Sequence, residues 1–180
     1  MTDRLERLYE QVLVVRRQAG DEAAFAELVE RYAPRLRYYL RRMLDAGDPD
    51  DVMQDVWLDV FRGLPRLNDA AAFPAWLYRL ARDRVLRTIR RRPRTQPLLD
   101  LDVPDEADEP FSAEDAARIH EALAELPPEQ REVLVLRFLE EMSYDDVARV
   151  IDCPVGTVRS RLYYAKQALR RILERRDDHG

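Results

Sequence analysis

Ser143-Tyr-Asp-Asp-Val-Ala148-Arg-Val-Ile-Asp152-Cys-Pro-Val-Gly-Thr-Val158-Arg-Ser-Arg-Leu162 is the stretch from which the fold of this chain is read. Ser143, with an acid three residues later at Asp146, has the spacing of a capping box: the serine oxygen accepts from amides of the first turn and starts a helix over Tyr144 to Ile151. Asp152-Cys153-Pro154 is long enough only for a tight turn. Helical periodicity then resumes over Val155 to Arg176, with Val158, Leu162, Ala165, Leu169 and Ile172 turned inward. Two helices joined by three residues make a helix-turn-helix. Ala148 is small where the crossing helices come closest, and Val158 fills the same junction. Asp152, four residues after Ala148, stands where such a turn often takes a positive φ, which aspartate tolerates better than most residues.

Opposite the inward stripe of the second helix lie Gly156, Arg159, Ser160, Tyr163, Tyr164, Gln167 and Arg170. That set suits a DNA major groove, since arginine pairs bidentately with guanine, serine donates or accepts, and tyrosine packs on thymine methyls or reaches phosphates. Upstream, a helix beginning near Ser112 ends at Leu126, where Pro127-Pro128 closes it and opens another filled by Val133, Leu134, Leu136 and Phe138. Cys153, the only cysteine, cannot form an internal disulfide and is expected as a small buried apolar group.

Before this cluster the composition changes. Leu98 to Ala117 contains the acids Asp100, Asp102, Asp105, Glu106, Asp108, Glu109, Glu114 and Asp115 and no base, so the formal net charge of −5 conceals a net positive remainder. Pro93, Pro97, Pro104 and Pro110 punctuate the segment, and its charge and low apolar content predict a flexible linker.

The N-terminal half is also helical. Phe25, Leu28, Val29, Tyr32, Leu36, Leu40 and Met43 recur at steps of three and four between Asp21 and Leu44, with Pro34 able to kink that helix. Asp48 as N-cap and Pro49 at the first helical position start a second helix that runs to Leu64. It buries Val52, Val56 and Val60 beside Met53, Trp57 and Phe61, and turns Asp51, Gln54 and Asp55 outward. Gly63 to Ala72 reads as a loop. Phe73 to Arg92 is a third helix, with Leu77, Ala81, Val85 and Ile89 spaced four apart and Arg79, Arg82, Arg87, Arg90 and Arg91 opposite them. The fold class is therefore all-α: two small helical domains, 1–94 and 114–180, joined by an acidic flexible linker over 95–113, the C-terminal one containing the helix-turn-helix.

Several functions are argued against. His120 and His179 are isolated, no phosphate-cradling glycine loop is present, and Cys153 has no histidine near it in sequence, so no enzyme, metal site or cofactor is expected. No apolar run is long enough to cross a bilayer and the first twenty residues do not resemble a signal peptide, which predicts a cytoplasmic protein without membrane insertion.

Leu126-Pro-Pro-Glu-Gln-Arg-Glu-Val133, Met142-Ser-Tyr-Asp-Asp-Val-Ala148 and Asp152-Cys-Pro-Val-Gly-Thr-Val-Arg-Ser-Arg-Leu162 resemble the promoter-binding C-terminal domain of extracytoplasmic-function sigma factors. Gly20-Asp-Glu-Ala-Ala-Phe25, Asp51-Val-Met-Gln-Asp-Val56 and Phe73-Pro-Ala-Trp-Leu-Tyr-Arg-Leu-Ala-Arg82 resemble the polymerase-binding domain of the same family, and the likeness spans residues 10 to 175. The resemblance implies a factor that docks on core RNA polymerase, reads two elements of promoter DNA and helps open the duplex, with restraint by an anti-sigma factor. It carries Asp51, Gln54 and Asp55 onto the polymerase-gripping face. Arg79, Arg82, Arg84 and Arg87, with Asn68 to Phe73 as a base-capturing loop, fall on the minus-ten element, and Thr157, Arg159, Ser160, Arg161, Tyr163 and Tyr164 on the minus-thirty-five element. Two departures stand out: Asp83 replaces a frequent asparagine and Tyr164 a frequent arginine. The competing reading is a dimeric regulator that binds DNA through the same motif without polymerase, which leaves the Asp51 to Leu64 helix without a purpose.

Overall fold

Asp21 makes the first corner of the molecule. In the computed structural model, which describes residues 2–44, 48–89 and 116–177, one of its carboxylate oxygens accepts from the amides of Ala23 and Ala24 at 3.0 and 3.2 Å. The other takes Nε and Nη2 of Arg16 at 2.9 and 2.6 Å. Those bonds join helix α1 (Thr2–Gln18) to α2 (Glu22–Met43), and Gly20 turns the chain between them with a φ of 97°, a backbone state that side chains disfavour. The Arg16 hydrogen bond foremost, then that of the Ala24 amide, holds the Asp21 carboxyl below its ordinary pKa.

The chain divides into two compact units, Met1–Arg94 and Thr95–Gly180. In the first, α2 runs through Pro34 as one helix, and α3 (Pro49–Gly63) starts as its sequence predicts, with Asp48 accepting from the Asp50 amide at 2.9 Å. α4 (Phe73–Ile89) completes the unit. Edge-on aromatic pairs lock α2 to α4, Tyr32 on Phe73 at 5.4 Å and Tyr39 on Tyr78 at 5.3 Å between ring centroids; such pairs add to the burial of large rings. Phe25 meets Trp57 and Phe61 of α3 in the same way. The stretch read as a loop after α3 holds two 3₁₀ turns, Leu64–Arg66 and Ala70–Ala72. Gln18 donates to the carbonyls of Leu64 and Leu67 at 3.1 and 2.7 Å and fastens them to the end of α1.

Helix α1 is absent from the sequence reading. Leu13 and Val14 are buried, while Leu5, Leu8, Tyr9, Val12 and Val15 are exposed, so apolar residues lie on two sides and no single stripe stands out. Phe61 departs from its expected place, being 45% exposed, with the Arg17 guanidinium 4.6 Å from its ring centroid.

The second unit comprises α5 (Ala116–Glu125), α6 (Pro128–Leu134), α7 (Tyr144–Ile151) and α8 (Val155–Asp177). α6 passes directly into a π-helical turn, Val135–Leu139, which the sequence reading does not contain. α5, α6 and α7 all pack on α8. The expected linker, residues 95–113, together with Arg90 to Arg94 and the start of the helix placed near Ser112, lies outside the described residues. No described helix is long and apolar enough to cross a membrane.

Candidate nucleic-acid interface

The helix-turn-helix forms from the contacts its sequence calls for. Ser143 Oγ accepts from the Asp146 amide at 3.1 Å and donates to the Asp146 carboxylate at 2.7 Å, fixing the start of α7. Asp152 ends α7 in the left-handed region, φ 54° and ψ 57°, with its amide returning to the Ala148 carbonyl; the Cys153 amide reaches the same oxygen at 3.2 Å. Ala148 and Val158 are both buried at the helix crossing. Cys153 is half-buried in the turn, its thiol directed to the Pro154 carbonyl at 3.4 Å, and so is not the buried apolar group expected.

On α8, Arg159 is exposed and Tyr163 and Tyr164 are half-exposed, edge to face at 5.4 Å. Thr157 is half-buried. Arg161 is also half-buried and lies 3.9 Å from Glu129 of α6, off the outward face. Ser160 is a correction: it is 6% exposed, and its hydroxyl donates to the Thr157 carbonyl at 3.1 Å. A helix enclosed by three others buries more than the single stripe its period predicts, and a helical serine satisfies its hydroxyl on its own backbone. Ser160 is therefore largely enclosed, with its donor already committed.

Two residues that sequence reasoning missed belong to this face. The Tyr144 ring, at the start of α7, has Arg159 at 5.9 Å and Arg137 at 5.4 Å from its centroid, and Arg137 also donates to the Met142 carbonyl at 3.2 Å. An aromatic face attracts a guanidinium and restricts where its fork can point. The contact joins three elements, so no spacing along one helix could have shown it.

In the first unit, Asn68 is exposed before the turn that Asp69 caps through the Ala71 amide at 2.9 Å. Phe73 is a second correction: at 0% exposure, with its ring on Tyr32, it belongs to the core and presents no platform to an unstacked base. Trp76, half-buried, packs on Gly63, where an added Cβ would sit 2.7 Å from the indole. Along α4, Arg79 and Arg87 are exposed, Arg82 is half-buried, and Asp83 is exposed among them. Arg84 is a third correction, because it points away from that face into the seam with α3. Its Nε and Nη2 reach Asp59 Oδ2 at 2.7 and 2.5 Å, and its Nη1 reaches Asp55 Oδ2 at 3.2 Å. The hydrogen bond to Asp59, followed by the pull of both carboxylates, raises its pKa further.

Asp51, Gln54 and Asp55 are exposed on one side of α3, as their spacing of three and four requires, and exposed Leu58 continues the row. Among the described residues no group of His, Cys, Asp and Glu is placed to hold a metal ion.

Comparison with known proteins agrees with this arrangement. The family model for sigma-70 region 2 matches residues 28–95, and that for sigma-70 region 4 matches 116–169. The ECF RNA polymerase sigma-E factor of Haemophilus influenzae is 34% identical over 181 residues, covering 91% of this chain and 95% of the relative. That of Escherichia coli K12 is 34% identical over 179 residues, covering 91% and 94%. Among solved structures, CnrH in complex with the cytosolic domain of CnrY superposes with a TM-score of 0.68 at 26% identity, covering 92% of this chain and 97% of CnrH. The sigma factor RpoE in complex with the anti-sigma factor NepR from Bartonella quintana shares the fold, with a TM-score of 0.66 at 24% identity over 83% of this chain and 96% of that one. A helix-turn-helix with an open basic face, a second helical unit with an acidic row, and one family likeness running through both place this chain among the extracytoplasmic-function sigma factors of the sigma-70 family, the promoter-directing initiation factors of bacterial RNA polymerase.

Proposed function

We propose that the units divide the work of promoter recognition, with residues 1–94 gripping core polymerase and the minus-ten element, 95–113 serving as the acidic linker, and 114–180 reading the minus-thirty-five element. The observation that carries this reading is Arg159, exposed at the front of α8 and stacked over Tyr144 beside the Tyr163–Tyr164 pair. Arg159, Tyr163 and Tyr164 take the base-reading role, with Thr157 and Arg161 at its edges. Asn68, Arg79, Arg82 and Arg87 face minus-ten DNA, whereas Phe73, Ser160 and Arg84 leave the contact set for the reasons given above. Asp51, Gln54 and Asp55 meet basic groups of the polymerase. As a member of a family of initiation factors the chain performs no catalysis of its own. Its place of action is the cytoplasm, and an anti-sigma factor restrains it, a proposal supported by the neighbour solved in complex with one.

Transcription in vitro from a randomised promoter library, with core polymerase and with or without the protein, tests this. Factor-dependent transcripts sharing two spaced upstream elements are expected, together with weak binding of promoter DNA by the protein alone. Tight polymerase-independent binding to a palindrome, with no such transcripts, would establish a dimeric regulator instead.

A further inference from the structure

The family resemblance puts Asp55 and Arg84 on different surfaces, one toward polymerase and the other toward DNA. The fold brings them into contact. Asp55 is 56% exposed on its side chain, and Arg84 only 26%, so the pair has an inner guanidinium and an outer carboxylate. Two donors of the Arg84 fork are spent on one oxygen of Asp59, itself 26% exposed. That anchorage fixes the plane of the guanidinium and leaves Nη1 aimed at a single oxygen of Asp55, 3.2 Å away.

A freely rotating aspartate on a helix surface loses rotamer freedom when it is captured by a partner, and that loss weakens the contact it makes. Here the loss has been taken before the partner arrives. Asp55 Oδ2 is held against Arg84 while the remainder of an exposed carboxylate faces out, in the row with Asp51 and Gln54. We infer that Arg84 is a positioning residue for polymerase docking: anchored on Asp59, it orients the Asp55 carboxylate of α3 toward a basic group of the polymerase. The inference rests on the reading of Asp51, Gln54 and Asp55 as the docking face. It has a corollary for DNA: a guanidinium with three donors committed to carboxylates contributes little to phosphate binding, so the minus-ten helix works through Arg79, Arg82 and Arg87.

The test is a double-substitution cycle on the full chain, with affinity for core RNA polymerase measured by competition against a labelled wild-type factor. Arg84→Gln is expected to weaken that affinity by roughly three- to ten-fold, since each link is a partly exposed ion pair of modest strength. Asp59→Asn, which loosens the anchor without touching Asp55, should weaken it in the same direction by about half as many fold. In an Asp55→Ala background the Arg84→Gln change should have no further effect on polymerase affinity. Lost packing of α3 on α4 would instead persist in that background and would appear as a lower melting temperature. Arg84→Lys, which keeps charge but cannot hold both carboxylates with a planar fork, should recover only part of the affinity. Equal losses from Arg84→Gln with and without Asp55 overturn the inference, as does an unchanged polymerase affinity accompanied by a shallower salt dependence of promoter binding, the mark of a phosphate contact. If Asp55→Ala alone leaves polymerase affinity unchanged, the docking-face reading fails and this inference with it, an outcome distinct from a cycle in which Asp55 matters and Arg84 does not.

Discussion

The basic faces of α4 and α8 look alike in sequence, arginines opposite an apolar stripe, yet the fold treats them differently. On α8 Arg159 rests over the ring of Tyr144, and Glu129 lies 3.9 Å from Arg161, which is off the outward face. On α4 the neighbouring helix contributes Asp55 and Asp59, which claim Arg84 at 2.5 to 3.2 Å, and Asp83 sits among the remaining cations. Spacing assigns a side chain to a sector of its helix; which groups of another helix reach it first is a property of the packing. A helix-turn-helix keeps its reading face clear because the turn and the small residue at the crossing hold the second helix by its back. No such turn guards the seam between α3 and α4, and there Arg84 meets Asp55 and Asp59.

Substituting the residue assigned to both the core and the minus-ten loop should have the largest effect. Phe73→Ala, which removes a fully buried ring, is expected to cost about 3–5 kcal/mol of stability in the first unit, read as a fall in the melting transition before any promoter is added. Unchanged stability with a specific failure of promoter opening would return Phe73 to the DNA side. Next comes Arg159→Ala, for which a loss of about 1–3 kcal/mol in promoter affinity, concentrated at one base pair of the upstream element, is expected if the residue reads a base. A uniform loss across all sequences would make it a phosphate contact and erase the contrast with α4. Asp152→Gly should stabilise the second unit by no more than about 1 kcal/mol, because glycine enters the left-handed region without the Cβ penalty although it loses more freedom on folding; Asp152→Val should destabilise it, and thermal melts of the two variants separate those signs. The smallest effect concerns acid. Asp21 has a lowered pKa in the folded protein, so its contribution is complete above the ordinary carboxylate range and is lost as pH falls through the lowered value. Asp21→Asn should therefore flatten the acid limb of the stability profile and leave the neutral region little changed in slope.

Much of the fold was legible because it depends on local chemistry. Asp48-Pro49 and Ser143 mark helix starts through caps that need only their own backbone, and Asp152 marks the turn through its φ preference; all three stand where that chemistry puts them. What was hidden depends on partners distant in sequence. Helix α1 carries apolar residues on two sides, so its period is blurred. Helical period puts Ser160 on the outward sector of α8 and the family resemblance puts Phe73 in the minus-ten loop, and neither registers the neighbours that enclose them; the Tyr144 platform is assembled from three separate elements.

The π-helical turn at Val135–Leu139 has a consequence for how this chain can change length. There the Glu140 amide returns to the carbonyl of Val135, five residues back, at 3.0 Å, which is the geometry of a helix that has absorbed one surplus residue. Each residue of an α-helix advances the chain by about 100° of rotation. The wider turn takes up the surplus residue's share of that rotation locally, so deleting one residue here would let the turn relax to α geometry with the exit toward Ser143 pointing in nearly the same direction. A deletion elsewhere in α6 would re-aim the helix-turn-helix that follows, whereas at this turn the chain can lose a residue and keep that aim.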